Sequence, residues 1–506
     1  MGGPLGPYRE ARAAAPRRLR GDQPVAHSLT YGGDPPPPRF NLARHCLAGK
    51  PAGKTALIVA GAEPCQLTYG EIEDQVLALA AGLASVGACD GHRLLIRMAN
   101  GLDYALLFLA AAAAGAVAVP ASPMLTAGEV DHLIAEAEIS VIAWDGALAL
   151  PATSARVLTP DDLARLKRHR PGSYADTSAN DHAYTIFTSG TGGKAKGVRH
   201  GHRAVWGRRP MYRGWYGIGA DDIVLHTGAF NWTYTMGTGL IDPLVNGATA
   251  VVYAGPRDDQ VWERLCRDYG ATIFASVPGL YRILLRDGFK PGPRLRHGLT
   301  AGEALAPSLL SAWQNRTGLS LYEALGMSEI STYISSSPEV PVRPGSPGKP
   351  QPGRAVRIGS DGQIEVHGGD PGLMLGYTNS ADLDGSWFAT GDAGHFDADG
   401  YLWHGGRIDD VMNASGYRVS PLEVENVLAL HPDIAEAGVT EIRVSDTLSI
   451  IGAFAVPRPG ARPDERQVLD FVRERLAQYK WPKQVWFVTA LPRNANGKLM
   501  RKALRP

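Results

Sequence analysis

Cysteine is scarce in this chain, with 4 in 506 residues: Cys46, Cys65, Cys89 and Cys266. They are too scattered for a zinc site or a disulfide framework, so a reducing cytoplasm is the expected setting. Excess charge is missing as well. The 51 Lys and Arg are balanced by 50 Asp and Glu, a net charge of +1, which excludes a globally basic nucleic-acid binder. No apolar leader follows Met1, where Gly, Pro and Arg stand instead, so no secretory signal is expected. Residues 1–39 carry Arg9, Arg12, Arg17, Arg18 and Arg20 and the Pro35–Pro38 tract. A transit peptide would fit them, but a loosely ordered lead-in is the simpler expectation. Long apolar spans are absent too. Tyr104–Gly128 holds no charged residue, yet Gly115, Pro120 and Pro123 interrupt it within a bilayer length. It reads as buried core, with no membrane span.

What is present is the composition of a globular protein, 44% apolar and 20% charged. The length allows two to four folding units. Helical periodicity over Tyr69–Ala84, Gly101–Ala114 and Ala127–Ala137 alternates with short apolar strands at Leu94–Arg97, Ala116–Val119 and Ser140–Trp144. That βαβ series predicts a parallel sheet covered by helices. A second series runs from Asp181 to about Met327, with strands near Ile223–His226, Ala248–Tyr253 and Thr272–Ser276. After Gly345, short alternating segments such as Gln363–His367 predict β-rich structure. At Ser420-Pro421-Leu422-Glu423 a helix is expected to open, with Ser420 capping and Glu423 reaching back. From there a small α+β unit follows. The fold class is therefore α/β, multidomain α+β.

The densest chemical feature is Phe187-Thr188-Ser189-Gly190-Thr191-Gly192-Gly193-Lys194-Ala195-Lys196-Gly197. A strand delivers the chain into a loop whose glycines let backbone N–H groups crowd an anion, with hydroxyls and lysine in support. It is not an NTPase P-loop, because neither Lys194 nor Lys196 is followed by Ser or Thr. His200 and His202 have a metal-like spacing, but no third ligand is spaced nearby and no metal is expected there.

This loop resembles the phosphate-binding loop of the adenylate-forming superfamily, which includes acyl-CoA synthetases. Other segments follow in the family's order. Leu67-Thr68-Tyr69-Gly70-Glu71 resembles the "TY-x-E-L" helix start, and Glu323-Ala324-Leu325-Gly326-Met327-Ser328-Glu329 the "YGMTE" motif. Thr390-Gly391-Asp392 resembles "TGD", Gly406-Arg407-Ile408-Asp409-Asp410 the arginine-and-hinge motif, and Pro492 to Lys498 the "P-R/K-T-x-x-G-K" motif. The resemblance runs from about Phe40 to Arg501. It implies an AMP-binding N-terminal domain over 40–407 and a mobile C-terminal domain over 408–506, hinged at Asp409.

The resemblance also implies roles. Thr188, Ser189, Gly190, Thr191, Gly192 and Lys196 would hold ATP phosphates. Gly302, Glu303 and Ala304 would sandwich adenine with Glu323, Ala324 and Leu325. Asp392 would accept both ribose hydroxyls, for which a carboxylate has two acceptor oxygens, with Arg407 beside it. Ser328 would face the α-phosphate, and Glu329 would bind Mg²⁺. Lys498 would bridge the attacking carboxylate and the α-phosphate. Ser415, Gly416, Tyr417 and Arg418 would face coenzyme A in a second domain arrangement, Gly416 leaving room for the pantetheine arm.

The acyl pocket is expected around Phe230, Asn231, Trp232, Ala301, Gly326 and Met327. Amino-acid-activating relatives carry aspartate where Asn231 stands. A buried ammonium needs such an anion, so an amino acid substrate is disfavoured. Acetate-specific relatives place a tryptophan where Gly326 stands, so glycine is expected to leave volume for a larger acid. Phe230 and Trp232 suit an aromatic ring or a short alkyl chain equally. The expected activity is an ATP-dependent carboxylate–CoA ligase acting on a small carboxylic acid, with ATP, Mg²⁺ and coenzyme A and no nucleic acid partner. A stand-alone enzyme loading a carrier-protein thiol and a non-catalytic nucleotide binder remain the alternatives. With the chain ending eight residues after Lys498, no fused carrier domain is expected.

Overall fold

The helix Tyr69–Ser85 starts where local chemistry dictates. The Thr68 side chain accepts from the Glu71 backbone while Glu71 reaches back to Thr68, a reciprocal cap. Its apolar face and that of Leu102–Ala113 pack together in the largest core. Ten of the twelve residues of the second helix, Tyr104 to Ala113, are buried, which explains the uncharged stretch. In this computed structural model the described residues are 31–506, apart from 190–194, 257, 259, 384–385, 411, 415–416, 445–448 and 495–497. Among them no helix is long and apolar enough to cross a membrane.

Two large sheets build the bulk of the chain. The first, in the order Gly376–Tyr377, Ala195–Gly201, His182–Ser189, Val117–Pro120, Arg93–Arg97, Val141–Trp144 and Arg156–Leu158, has seven strands. Its last five strands are parallel, as the βαβ pattern requires, and its first two are antiparallel additions. The second sheet has nine strands. Its parallel run, from Ser320–Met327 through His297–Ala301, Ile273–Ser276, Ile223–His226 and Thr249–Ala254 to Thr55–Gly61, is flanked by antiparallel edges. A four-stranded antiparallel sheet follows from Val356 to Arg407, the β-rich region expected there. The last part holds the ribbon Met412–Ala414 with Tyr417–Val419, and the strands Ile434–Arg443, Ser449–Pro457 and Gln484–Phe487, packed on the helices Pro421–Leu428 and Glu465–Arg473.

Two expectations are corrected. The helix at Pro421 forms, but without the capping box. The Ser420 hydroxyl donates instead to the Gly405 carbonyl at 2.5 Å, and Glu423 pairs with Lys480. The lead-in is also not loose throughout, since Gly32 N–H donates to Gly353 at 2.9 Å and Trp206 Nε1–H to the Asp34 carbonyl at 2.8 Å. Residues 31–39 thus form a strap, because the proline tract leaves carbonyls with few local donors. Residues 1–30 of that lead-in lie outside the described residues.

Candidate active site

The parallel strands of the second sheet end at Ala301, Ser276 and His226, and the candidate site gathers beyond those ends. Gly302 has φ +98° there, and a Cβ on it would lie 2.9 Å from the Trp232 indole. Glycine is therefore required, and Trp232 roofs the backbone at Gly302. Trp232 meets Tyr234 edge-on at 5.7 Å, and Tyr234 stacks on Trp215. Glu303 Oε1 accepts the Gly279 N–H at 3.2 Å. Glu323 Oε1 accepts the Leu305 N–H at 2.9 Å, and burial pushes its carboxyl up to about 7.

The Gly326–Glu329 segment is held from three sides. His200 lies buried, stacked on Tyr184 at 4.6 Å, and burial drops its pKa to about 3. Neutral, with its proton on Nε2, it donates to the Ser328 carbonyl at 2.8 Å. Tyr377 OH donates to Glu329 Oε1 at 2.9 Å, and the Glu329 carbonyl accepts from Met374 N–H at 2.7 Å. Two residues on, Ser331 takes φ +72°. Arg208 donates to its hydroxyl while forming a buried ion pair with Asp242 at 2.6 Å. His202 Nδ1 accepts the Leu42 N–H, so both histidines have structural partners. Among the described residues no group of three or more His, Cys, Asp or Glu could hold a metal ion.

Asp392 and Arg407 are direct cross-strand partners in the four-stranded sheet. Arg407 Nη1 lies 3.7 Å from Asp392 and donates to the Thr390 carbonyl at 2.9 Å. Gly391, at φ +77°, passes so close that a Cβ would sit 2.6 Å from the guanidinium. Glycine there lets the arginine fold back over the strand Trp387–Phe396, which presents Asp392.

Lys498 sits on a short hairpin. Asn494 N–H donates to the Lys498 carbonyl and the Lys498 N–H to Asn494 Oδ1, both at 3.0 Å. Lys498 is exposed. At the hairpin base, Arg493 donates to Glu303 at 3.0 Å. Of the expected phosphate loop, Thr188 Oγ1 donates to the Lys196 carbonyl at 3.5 Å, and the Lys196 ammonium lies 5.5 Å from the Tyr377 ring centroid. Gly190, Thr191 and Gly192 lie outside the described residues, as do Ser415 and Gly416. Ser189 ends the strand that leads into the loop. Tyr417 and Arg418 pair with Ala414 and Asn413 in the ribbon, and Asp409 lies in the 3-10 turn Ile408–Asp410.

The pocket expectations need three corrections. Gly326 leaves no spare volume, because a Cβ there would lie 2.4 Å from the Ser331 carbonyl oxygen, against the bulged return strand. Phe230 is 1% exposed and packs on Tyr104 at 5.6 Å, inside the core. Met327 leans with Leu325 onto the hydrophobic cluster under the four-stranded sheet. Trp232 and Asn231 stay partly exposed and Ala301 buried beneath them. Asn100 was not foreseen. Its amide clamps the 228–230 loop, donating to Gly228 O at 2.9 Å and accepting Phe230 N–H at 3.0 Å.

The model of the AMP-binding enzyme matches residues 43–378, and that of the AMP-binding enzyme C-terminal domain matches 423–498. The chain belongs to the AMP-binding enzyme family. Within the family it is 32% identical to the 3-hydroxybenzoate–CoA ligase of Aromatoleum sp. (strain CIB), over 91% of this chain and 94% of that one. It is 31% identical to the benzoate–CoA ligase of Thauera aromatica, over 95% and 98%. The crystal structure of a benzoate CoA ligase from Burkholderia xenovorans LB400 superposes with a TM-score of 0.82 at 27% identity, covering 92% of this chain and all of that one. The same large N-terminal and small C-terminal parts recur in that fold.

Proposed function

We propose that the protein is an ATP-dependent acid–CoA ligase for a carboxylic acid larger than acetate, with aryl acids favoured. The carrying observation is the cross-strand pairing of Asp392 with Arg407 and the Ser328–Glu329 segment fixed by His200 and Tyr377, together with a Lys498 hairpin tied through Arg493 to Glu303, the residue after Gly302. The named ligases for benzoate and 3-hydroxybenzoate support the aryl preference, and so does the Trp232–Tyr234 aromatic wall. In the first step a carboxylate oxygen attacks the α-phosphorus of ATP and pyrophosphate leaves. In the second a CoA thiol attacks the acyl carbon and AMP leaves.

Asp392 accepts the ribose hydroxyls in this reading, and Lys498 neutralises charge between carboxylate and α-phosphate. Preorganised cations at such positions contribute ~3–4 kcal/mol. Glu329 fits Mg²⁺, a hard cation that takes one or two carboxylates and fills its remaining sites with phosphate oxygens and water. When bound, that ion offsets phosphate charge, while Tyr377 keeps Glu329 oriented. The hinge at Asp409, separating 40–407 from 408–506, belongs to the same proposal, as does the coenzyme A role of Ser415–Arg418. A cytoplasmic setting goes with it, on the 4 free cysteines.

The test is pyrophosphate release across fatty acids, benzoates, phenylacetates and cinnamates, with and without CoA. A CoA-dependent thioester with benzoates is expected. Adenylate formation with no thioester in any CoA reaction would turn the proposal towards a carrier-protein acceptor.

A further inference from the structure

Four charged side chains close a ring between the large and small parts of the chain. Arg493 divides its two terminal nitrogens, Nη1 reaching Glu303 at 3.0 Å and Nη2 reaching Glu436 at 2.8 Å. Arg282 does the same from the other side, Nη2 lying 3.5 Å from Glu303 and Nε 3.4 Å from Glu436. Arg282, on the helix Pro278–Arg286, and Glu303 belong to the large part. Glu436, on the strand Ile434–Arg443, and Arg493 belong to the small one. Every member touches two charges of opposite sign, and all four are between 18% and 30% exposed.

The order of charges around this ring matters. If the parts separate, Arg282 keeps Glu303 and Arg493 keeps Glu436. No charge is orphaned, so opening avoids the penalty of an unpaired buried ion. Only the two cross-domain pairs are lost, and partly exposed pairs are individually weak. Such a ring favours one docked arrangement without locking it.

The ring also bears directly on Lys498. Arg493 pairs with Leu499 across the hairpin, and Met500 N–H returns to the Pro492 carbonyl at 2.9 Å. With the Asn494–Lys498 bonds, this makes Arg493 and Lys498 parts of one small unit. Its anchor, Glu303, directly follows Gly302 at the adenine-side turn. We infer that Arg493 is a positioning residue for Lys498, and that the Arg282–Glu303–Arg493–Glu436 ring is an electrostatic latch selecting the adenylating arrangement. This rests on the reading of Lys498 given above.

The experiment uses the full chain and measures two rates, adenylation without CoA and thioester formation from presynthesised acyl-adenylate. Arg282→Ala, Glu436→Gln and Arg493→Ala should each lower the adenylation kcat about threefold to tenfold, with KM for ATP little changed. Thioester formation should hold or rise. Raising KCl from about 0.05 to about 0.5 M should slow adenylation in the parent more than in Arg282→Ala, since salt screens only the pairs that remain. Arg493→Lys, which keeps the charge, should recover part of the loss. The latch is overturned if both rates fall together, if neither moves, or if the salt response is the same in parent and variant. Lys498→Ala separates the two ideas. Normal adenylation in that variant would sink the reading of Lys498, whereas its loss alongside unaffected ring variants would sink the latch alone.

Discussion

The Tyr377 hydroxyl donates to Glu329 Oε1 at 2.9 Å, across 48 residues of sequence. A hydrogen bond to a charged acceptor contributes about 1.5–3 kcal/mol, enough to fix which way the carboxylate faces. Tyr377→Phe should therefore raise the Mg²⁺ concentration for half-maximal adenylation about tenfold, while the thioester step from presynthesised adenylate stays unchanged. A Mg²⁺ titration of both steps checks it, and coincident Mg²⁺ curves for parent and variant would detach Tyr377 from any metal role.

Glu323 sets a pH dependence of stability. Burial raises its carboxyl from 4.5 to about 7, so the folded state holds a proton that the unfolded state releases earlier. The contribution is full below about pH 4.5 and fades as pH climbs through about 7, by at most about 3 kcal/mol. Glu323→Gln should remove that loss and raise Tm at pH 8 relative to pH 5 compared with the parent. Parallel Tm curves over that range would mean Glu323 is ionised throughout.

Lys498→Ala should cut adenylation by a factor of about 10²–10³ and spare thioester formation from presynthesised acyl-adenylate. Separate assays of the two half-reactions decide it. Equal loss in both, with the fold intact by circular dichroism, would contradict a role confined to the first step.

Gly326 and Trp232 should separate packing from specificity. Gly326→Ala puts a Cβ against the Ser331 backbone, so Tm should fall and all acids should lose rate in proportion. Trp232→Ala should instead reorder kcat/KM between benzoate and C2–C8 acids, since even one methylene of misfit shifts selectivity by ~1–3 kcal/mol. An unchanged rank order in Trp232→Ala would remove the indole from the acyl pocket.

Features written in neighbouring residues were legible in the sequence. Thr68 with Glu71 marks a helix start, and Thr390-Gly391-Asp392 matches a family motif, although the room its glycine makes for Arg407 does not show in it. Features that depend on a distant partner were not. A glycine such as Gly326 reads the same whether it opens a cavity or admits a neighbouring backbone, and only the bulged strand Ser331–Ser335 distinguishes the two. Phe230 looked like a pocket residue until Tyr104 was seen to claim it. His200 reaches Ser328 across 128 positions, and nothing local in His-Gly-His suggests that a backbone carbonyl is its target. Arg493 stood inside a recognised motif, but its use required Glu303 and Glu436 to be brought together by the fold.

The Asn100 clamp carries a consequence for recombining this protein with its relatives. The 228–233 loop is shaped from outside its own segment, by a side chain more than a hundred positions upstream. A loop graft aimed at changing acid preference would import a new backbone path while leaving the old tether in place. Such chimeras should bring the residue at position 100 along with the loop, and crossovers between residues 101 and 227 would split a unit that the structure treats as one.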